Sequence, residues 1–183
     1  VYYTKRFIFS RDSYVVRTEF LVNNQSNKPW EGFLYGQFLR QPPEEKSGFL
    51  MLPTFTGGAI YTSEDQYQKI SFSDMEDENL KREVTGGWAA MMQHYFVGSW
   101  MPADDQKGQL YSSHPAADRY VIGYKHTTPL VVAPGKRGSV GIDMFAGPKE
   151  HKRLQELAEG MELVVDFGWL TFIAAPLFWL LTA

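Results

Sequence analysis

Residues 13–23 (SYVVRTEFLVN) divide at alternate positions into an apolar set and a more polar one, and this period of two constrains the fold more than any other feature of the chain. Successive side chains of an extended strand point to opposite faces, so Tyr14, Val16, Thr18, Phe20 and Val22 share one face. Val15, Arg17, Glu19, Leu21 and Asn23 form the other, more polar one. A turn-forming cluster follows at 23–29 (NNQSNKP), and the extended pattern resumes over 31–40, which predicts a hairpin. The alternation of short run and break then recurs. Residues 49–52, 59–62, 67–72, 88–99, 119–125, 129–132, 139–145 and 162–167 read as further strands. Gly57-Gly58, Gly86-Gly87, Pro102, Gly108, Pro134-Gly135 and Gly147-Pro148 punctuate them. Many short strands at this spacing predict a mainly β fold, an antiparallel double-sheet sandwich rather than a parallel βαβ sheet.

Two segments break the pattern. From Pro148, about 12 residues read as a surface helix: Glu150 lies in its first turn, Leu154, Leu157 and Ala158 share a face, and Gly160 stops it. The acidic run 74–78 (DMEDE) reads as a solvated loop. At the C-terminal end, residues 169–183 (WLTFIAAPLFWLLTA) carry no charge. As a helix these 15 residues would be about 22 Å long at ~1.5 Å per residue, short of the ~30 Å hydrocarbon core of a bilayer. Trp169, Phe172, Phe178 and Trp179 suit a membrane interface, although a buried core helix is an alternative, and Pro176 would kink either one. The strand pattern already runs at Val1 with no initiating Met, so the chain reads as a piece of something longer.

Composition narrows the function classes. A length of 183 residues fits one domain, and 44% hydrophobic with 21% charged residues is a globular balance. Lys and Arg number 18 against 21 Asp and Glu, a net charge of −3 that argues against a nucleic-acid surface. The absence of cysteine removes disulfide scaffolds, thiolate metal sites and Cys nucleophiles together. None of His94, His114, His126 and His151 stands at a spacing that suggests a metal site. His94 reads as a structural histidine inside an apolar strand and His151 as an exposed helix residue. Glu64 and Asp65 read as a solvated turn. With no phosphate loop and no nucleophile elbow, the expectation is no catalytic residue, no metal and no cofactor.

Residues 165–181 (VDFGWLTFIAAPLFWLL) resemble the junction at which the large periplasmic domain of the YidC/Oxa/Alb insertase family meets the membrane. Four more stretches resemble the same domain in the same order. They are 13–41 with Gly36-Gln37, 54–74 with Gly58-Ala59 and Tyr61, 86–102 (GGWAAMMQHYFVGSWMP), and the helix region 145–157. The resemblance implies a β-supersandwich similar to sugar mutarotases over residues 1–168, with the family domain's earlier strands lying before Val1. It further implies a C-terminal amphipathic, membrane-proximal helix over 169–183 that precedes the transmembrane bundle.

That helix would present Trp169, Leu170, Phe172, Ile173, Leu177, Phe178, Trp179 and Leu180 to the membrane interface. The implied setting is the bacterial inner membrane with the domain facing the periplasm. The implied role is non-enzymatic assistance to the insertion and folding of membrane proteins, alone or with the Sec translocon. The implied partners are the bilayer surface, Sec subunits and nascent membrane proteins. A carbohydrate-binding or mutarotase-like activity is the alternative; it would need a converging histidine and carboxylate, for which His94 with Glu64 is the candidate pair. A plain structural spacer is a third reading.

Overall fold

The computed structural model describes residues 1–42 and 55–165. In chain order its strands are β1 (Tyr2–Phe9), β2 (Val15–Asn23), β3 (Trp30–Gly32), β4 (Tyr35–Arg40), β5 (Gly57–Thr62) and β6 (Gln66–Ile70). After helix α1 (Phe72–Asp77) come β7 (Lys81–Thr85), β8 (Trp88–Met92), β9 (Phe96–Met101), β10 (Lys107–Ala116), β11 (Arg119–His126), β12 (Leu130–Val132) and β13 (Arg137–Pro148). Helix α2 (His151–Leu157) and a 3-10 turn (Met161–Val164) complete the described chain. The expected mainly β, antiparallel double-sheet architecture is what is found. A seven-stranded sheet of order β1-β2-β13-β9-β8-β5-β6 faces a four-stranded sheet of order β4-β11-β10-β7, and β12 pairs with β3 in a small ribbon.

The large sheet is buried on both faces at its centre. Toward the small sheet, Ile60, Ala89, Met91 and Ile142 pack with Leu110, Ile122 and Tyr124. On the opposite face Ala59, Tyr61, Trp88, Ala90, Met92, Val97 and Phe145 pack under Leu154 of α2 and Met161 and Val164 of the 3-10 turn. Strict alternation along β5 and β8 therefore feeds two cores, which is why every residue of both strands is buried. β2 keeps the expected faces: Thr18 and Val22 are buried while Arg17 is exposed.

Several expectations change. Residues 13–23 and 31–40 do not form a hairpin. β2 lies between β1 and β13, whereas β3 pairs with β12 and β4 with β11. The strand breaks at Phe33 and Leu34, where the chain crosses between layers and Leu34 turns into the core. The 23–29 turn is tied elsewhere: the buried Asn24 side-chain amide donates to Lys28 O and Val132 O, both at 2.8 Å.

Residues 88–99 are two strands, β8 and β9, joined by an exposed turn at His94 and Tyr95 that is closed by Gln93 N donating to Phe96 O at 2.9 Å. The acidic run is not a loop. Ser71 and Asp74 form a capping box that starts α1, and Met75 is buried beneath it. The surface helix is shorter than expected because Pro148 closes β13, but Leu154 does face the core. Residues 161–164 form the 3-10 turn rather than a strand, after Gly160 adopts φ 71°.

β7 and β10 had no sequence counterpart: the inward positions of β10 include Gly108 and Ser112, so its alternation carries little apolar contrast. The candidate strand 49–52 and the whole apolar run 169–183 lie outside the described residues.

Candidate functional site

A cleft of about 560 Å³ opens between the two sheets on the side of β1 and β4. Its floor is the inward face of the large sheet, where the register Tyr3↔Val22, Lys5↔Phe20 and Phe7↔Thr18 aligns the alternate residues of β1 with the buried face of β2. Val140 and Ile142 of β13 and Trp100 of β9 extend that floor. The opposite wall is β3, the β3–β4 connection and the first half of β4, from Trp30 to Gln37.

Aromatic packing sets the shape. Tyr3 meets Trp30 edge-on at 5.7 Å, and Trp100 lies against Phe38 at 5.6 Å. Gly36 makes room for the second pair, since a Cβ there would sit 2.4 Å from the Trp100 ring.

The polar side chains that line the cleft include Gln37, whose amide oxygen accepts from the Tyr111 hydroxyl at 2.8 Å, and two buried groups that stand unpaired. Among the described residues Trp100 Nε1 and Thr18 Oγ1 are buried with no hydrogen-bond partner, and Thr18 is 2% exposed. The Lys5 ammonium stands over the Phe20 ring at 5.3 Å. An apolar trough with unpartnered donors matches an occupant that brings carbonyl oxygens and apolar side chains. It has no nucleophile poised against a base.

The titratable groups singled out from the sequence do not converge. Antiparallel register puts Gly57 opposite Met92 and Tyr61 opposite Trp88. The turn with His94 therefore lies at one end of this strand pair and the turn with Glu64 at the other. His94 is exposed and packs edge-on against Tyr95 at 4.0 Å, so it is not a core histidine. Glu64 is exposed in the β5–β6 turn, where Asp65 pairs with Arg82. His151 is half-buried at the start of α2.

His126 and His114 carry the environments that the sequence did not flag. His126 is 7% exposed beside Tyr124, and burial pushes its imidazole below the usual value. His114 stacks flat on Tyr120 at 4.6 Å, and the Tyr120 hydroxyl donates to Glu76, a bond that raises the phenol together with burial. Burial likewise raises the Tyr124 phenol. No group of three or more His, Asp or Glu among the described residues could hold a metal ion. None of the described helices is long and apolar enough to cross a membrane. The eight expected interface residues, Trp169, Leu170, Phe172, Ile173, Leu177, Phe178, Trp179 and Leu180, all lie outside the described residues.

A family profile described as the YidC periplasmic domain matches residues 1–180. The chain belongs to that family. Membrane protein insertase YidC of Stutzerimonas stutzeri is 41% identical over 184 residues, covering 99% of this chain and 33% of the relative. The YidC of Alkalilimnicola ehrlichii is 43% identical over 171 residues, covering 93% of this chain and 30% of the relative. The chain thus spans about a third of the length of these relatives.

A solved structure of a galactose mutarotase related enzyme from Lactobacillus acidophilus superimposes with a TM-score of 0.50 at 14% identity, covering 79% of this chain and 61% of the other. At that identity the likeness shows the fold, which is the mutarotase-like sandwich that the family resemblance implies, and nothing of the enzyme's chemistry. The family assignment makes this a periplasm-facing domain of an inner-membrane protein. The residues that sequence reasoning missed are Thr18 and Trp100 as unpartnered cleft donors. Only the burial of a polar position within an apolar face could have exposed them, and that needs the packing of two sheets.

Proposed function

We propose that the chain is a non-catalytic module of a membrane protein insertase, which assists membrane protein insertion and folding as a chaperone, alone or with the Sec translocon. The observation that carries this reading is the family match over residues 1–180, with relatives at about 40% identity named membrane protein insertases. In this reading residues 1–168 form the periplasmic sandwich and residues 169–183 a helix at the bilayer surface that precedes the transmembrane bundle. Trp169, Leu170, Phe172, Ile173, Leu177, Phe178, Trp179 and Leu180 bury their apolar surface at the headgroup boundary. Nascent membrane proteins and Sec subunits are partners of the full-length protein. The separation of His94 from Glu64 removes the pair that a mutarotase activity would have used.

Two deletions in the full-length insertase, reconstituted in proteoliposomes, test this proposal. Removal of 1–168 alone leaves insertion of a simple client measurable, because the module performs no chemistry. Removal of 1–183 lowers it further, because the surface helix is lost. Complete loss of insertion in the first deletion, with the membrane part still folded, contradicts a non-catalytic module.

A further inference from the structure

Three segments meet at the end of the sandwich where the β8–β9 turn projects. Lys149 N donates to Tyr95 O at 3.0 Å, which seats the approach to α2 beside that turn. Ala146 N donates to Tyr14 O at 3.0 Å, and Arg153 Nη1 donates to the Asp12 carbonyl at 3.3 Å, which brings in the β1–β2 turn. The Arg153 guanidinium also lies over the Tyr14 ring at 4.8 Å. Pro148 stands opposite Phe96 in the β13–β9 register, so rings and cations share this end.

The tip pairs exposed rings with a local excess of positive charge. Tyr95 is 69% exposed and Phe96 56%, and Tyr14 is exposed beside them. Residues 10–14, 93–96 and 148–153 together carry Arg11, Lys149, Lys152 and Arg153 against Asp12 and Glu150, in a chain whose net charge is −3. Glu150 is paired with Arg153 at 3.2 Å, while Arg11 and Lys152 are exposed. At the other end of β8, Asp104 and Glu159 border a hollow around Gly86 and Gly87, next to the turn that carries Glu64. An anionic surface attracts the first end and repels the second. The turns of the tip are closed on themselves, with Gln93 N donating to Phe96 O at 2.9 Å and Ser13 N to Ser10 O at 3.3 Å. Exposed rings and cations carried on closed turns suit a fluid headgroup layer rather than an added strand.

We propose that this tip is a lipid-contacting surface that rests on anionic phospholipid headgroups. Arg11 and Lys152 meet the phosphates, and Tyr95 and Phe96 reach the headgroup boundary. The proposal rests on the reading of the chain as part of an inner-membrane insertase, and it concerns a surface separate from residues 169–183. A few rings and cations make a small contact, which holds only while a membrane segment keeps the domain beside the bilayer at high effective concentration. The contact sets the tilt of the sandwich, with the Glu64 end turned away from the membrane.

The test uses the full-length insertase in nanodiscs made with phosphatidylglycerol or with phosphatidylcholine alone, each with a trace of lipid bearing a headgroup nitroxide. A fluorophore is coupled to a single cysteine introduced as His94→Cys or as Glu64→Cys, both exposed turn positions. Quenching at position 94 should exceed that at position 64 by at least ~2-fold in phosphatidylglycerol discs, and the difference should vanish in phosphatidylcholine discs or at about 0.5 M salt. The double reversal Arg11→Glu with Lys152→Glu should abolish it too, with an unchanged thermal melt. Equal quenching at the two positions in phosphatidylglycerol discs overturns the proposal, as does a difference that survives charge reversal and salt. A label at position 94 that is shielded from the nitroxide in both lipids, the result a protein cover gives, also overturns it. The transmembrane part holds the domain at the disc in every arm, so the outcome does not depend on where residues 169–183 lie.

Discussion

Trp88 donates its indole Nε1–H to the Glu159 carbonyl at 2.9 Å, fastening the segment after α2 to the centre of the large sheet. Trp88 is 1% exposed, stacks on Tyr61 at 6.0 Å, and sits one residue from the positive-φ glycine pair that ends the β7–β8 turn. The last described residues are thus anchored through one buried indole. Trp88→Phe keeps most of the ring volume but leaves the Glu159 carbonyl unpaired. We expect a loss of about 1–3 kcal/mol in denaturant titrations of the domain. A variant as stable as wild type would remove this bond from the account.

Gly160 should be just as demanding. It holds φ 71°, and an added Cβ would stand 2.3 Å from the Tyr61 ring. Gly160→Ala meets both a disfavoured backbone and a packed aromatic, so it should cost about 1–3 kcal/mol. Leu154→Ala, which empties the contact between α2 and the sheet, should cost about 2–5 kcal/mol. The two sites share the same packed layer, so the double variant should depart from additivity in the same titration.

The capping box of α1 predicts a small but specific effect. Ser71 Oγ accepts from Asp74 N at 3.0 Å, and the Asp74 carboxylate accepts from Ser71 N at 2.7 Å. Ser71→Ala should destabilise the domain by about 1 kcal/mol. The bonds from Ser71 hold the Asp74 carboxyl below its ordinary 3.8. Its contribution is therefore present above that value and is lost as the pH falls through the folded-state value. Acid titration of Asp74→Asn by circular dichroism should show a shallower loss than wild type.

His126 acts at a higher pH, in the same direction. Burial favours its neutral form and depresses it from 6.5. The unfolded chain takes up a proton from about pH 6.5 downward while the folded ring resists, so stability falls as the pH drops through that value. Melting temperatures compared at about pH 7.5 and about pH 5.5 should show this slope, and His126→Phe should flatten it. An unchanged slope in the variant assigns the pH dependence to other groups.

How much of this was legible in the sequence depends on what each element packs against. β2 was readable because one of its faces is apolar and the other bears Arg17 and Glu19. β8 and β9 merged into one run because β8 is buried on both faces and loses its alternation, and because the turn between them carries the aromatic Tyr95. α1 was hidden in an acidic stretch whose helical character rests on a capping box and one buried residue, Met75. Pairing was the least legible. The hairpin expected between 13–23 and 31–40 failed because β3 and β4 belong to two other sheets, and strand partners more than a hundred residues apart, such as Thr18 and Ile142, leave no local mark. The family was legible from five ordered stretches. The cleft was not, since it arises from one sheet being wider than the other.

The central claim is that the apolar run after the sandwich is a lipid-facing element of an insertase domain. Co-flotation with phosphatidylethanolamine–phosphatidylglycerol vesicles of the 183-residue chain, beside a version ending at Gly168, tests it most directly. The account predicts that the full chain rises with the vesicles and the shortened chain stays at the bottom of the gradient. Equal behaviour of two folded chains would contradict it.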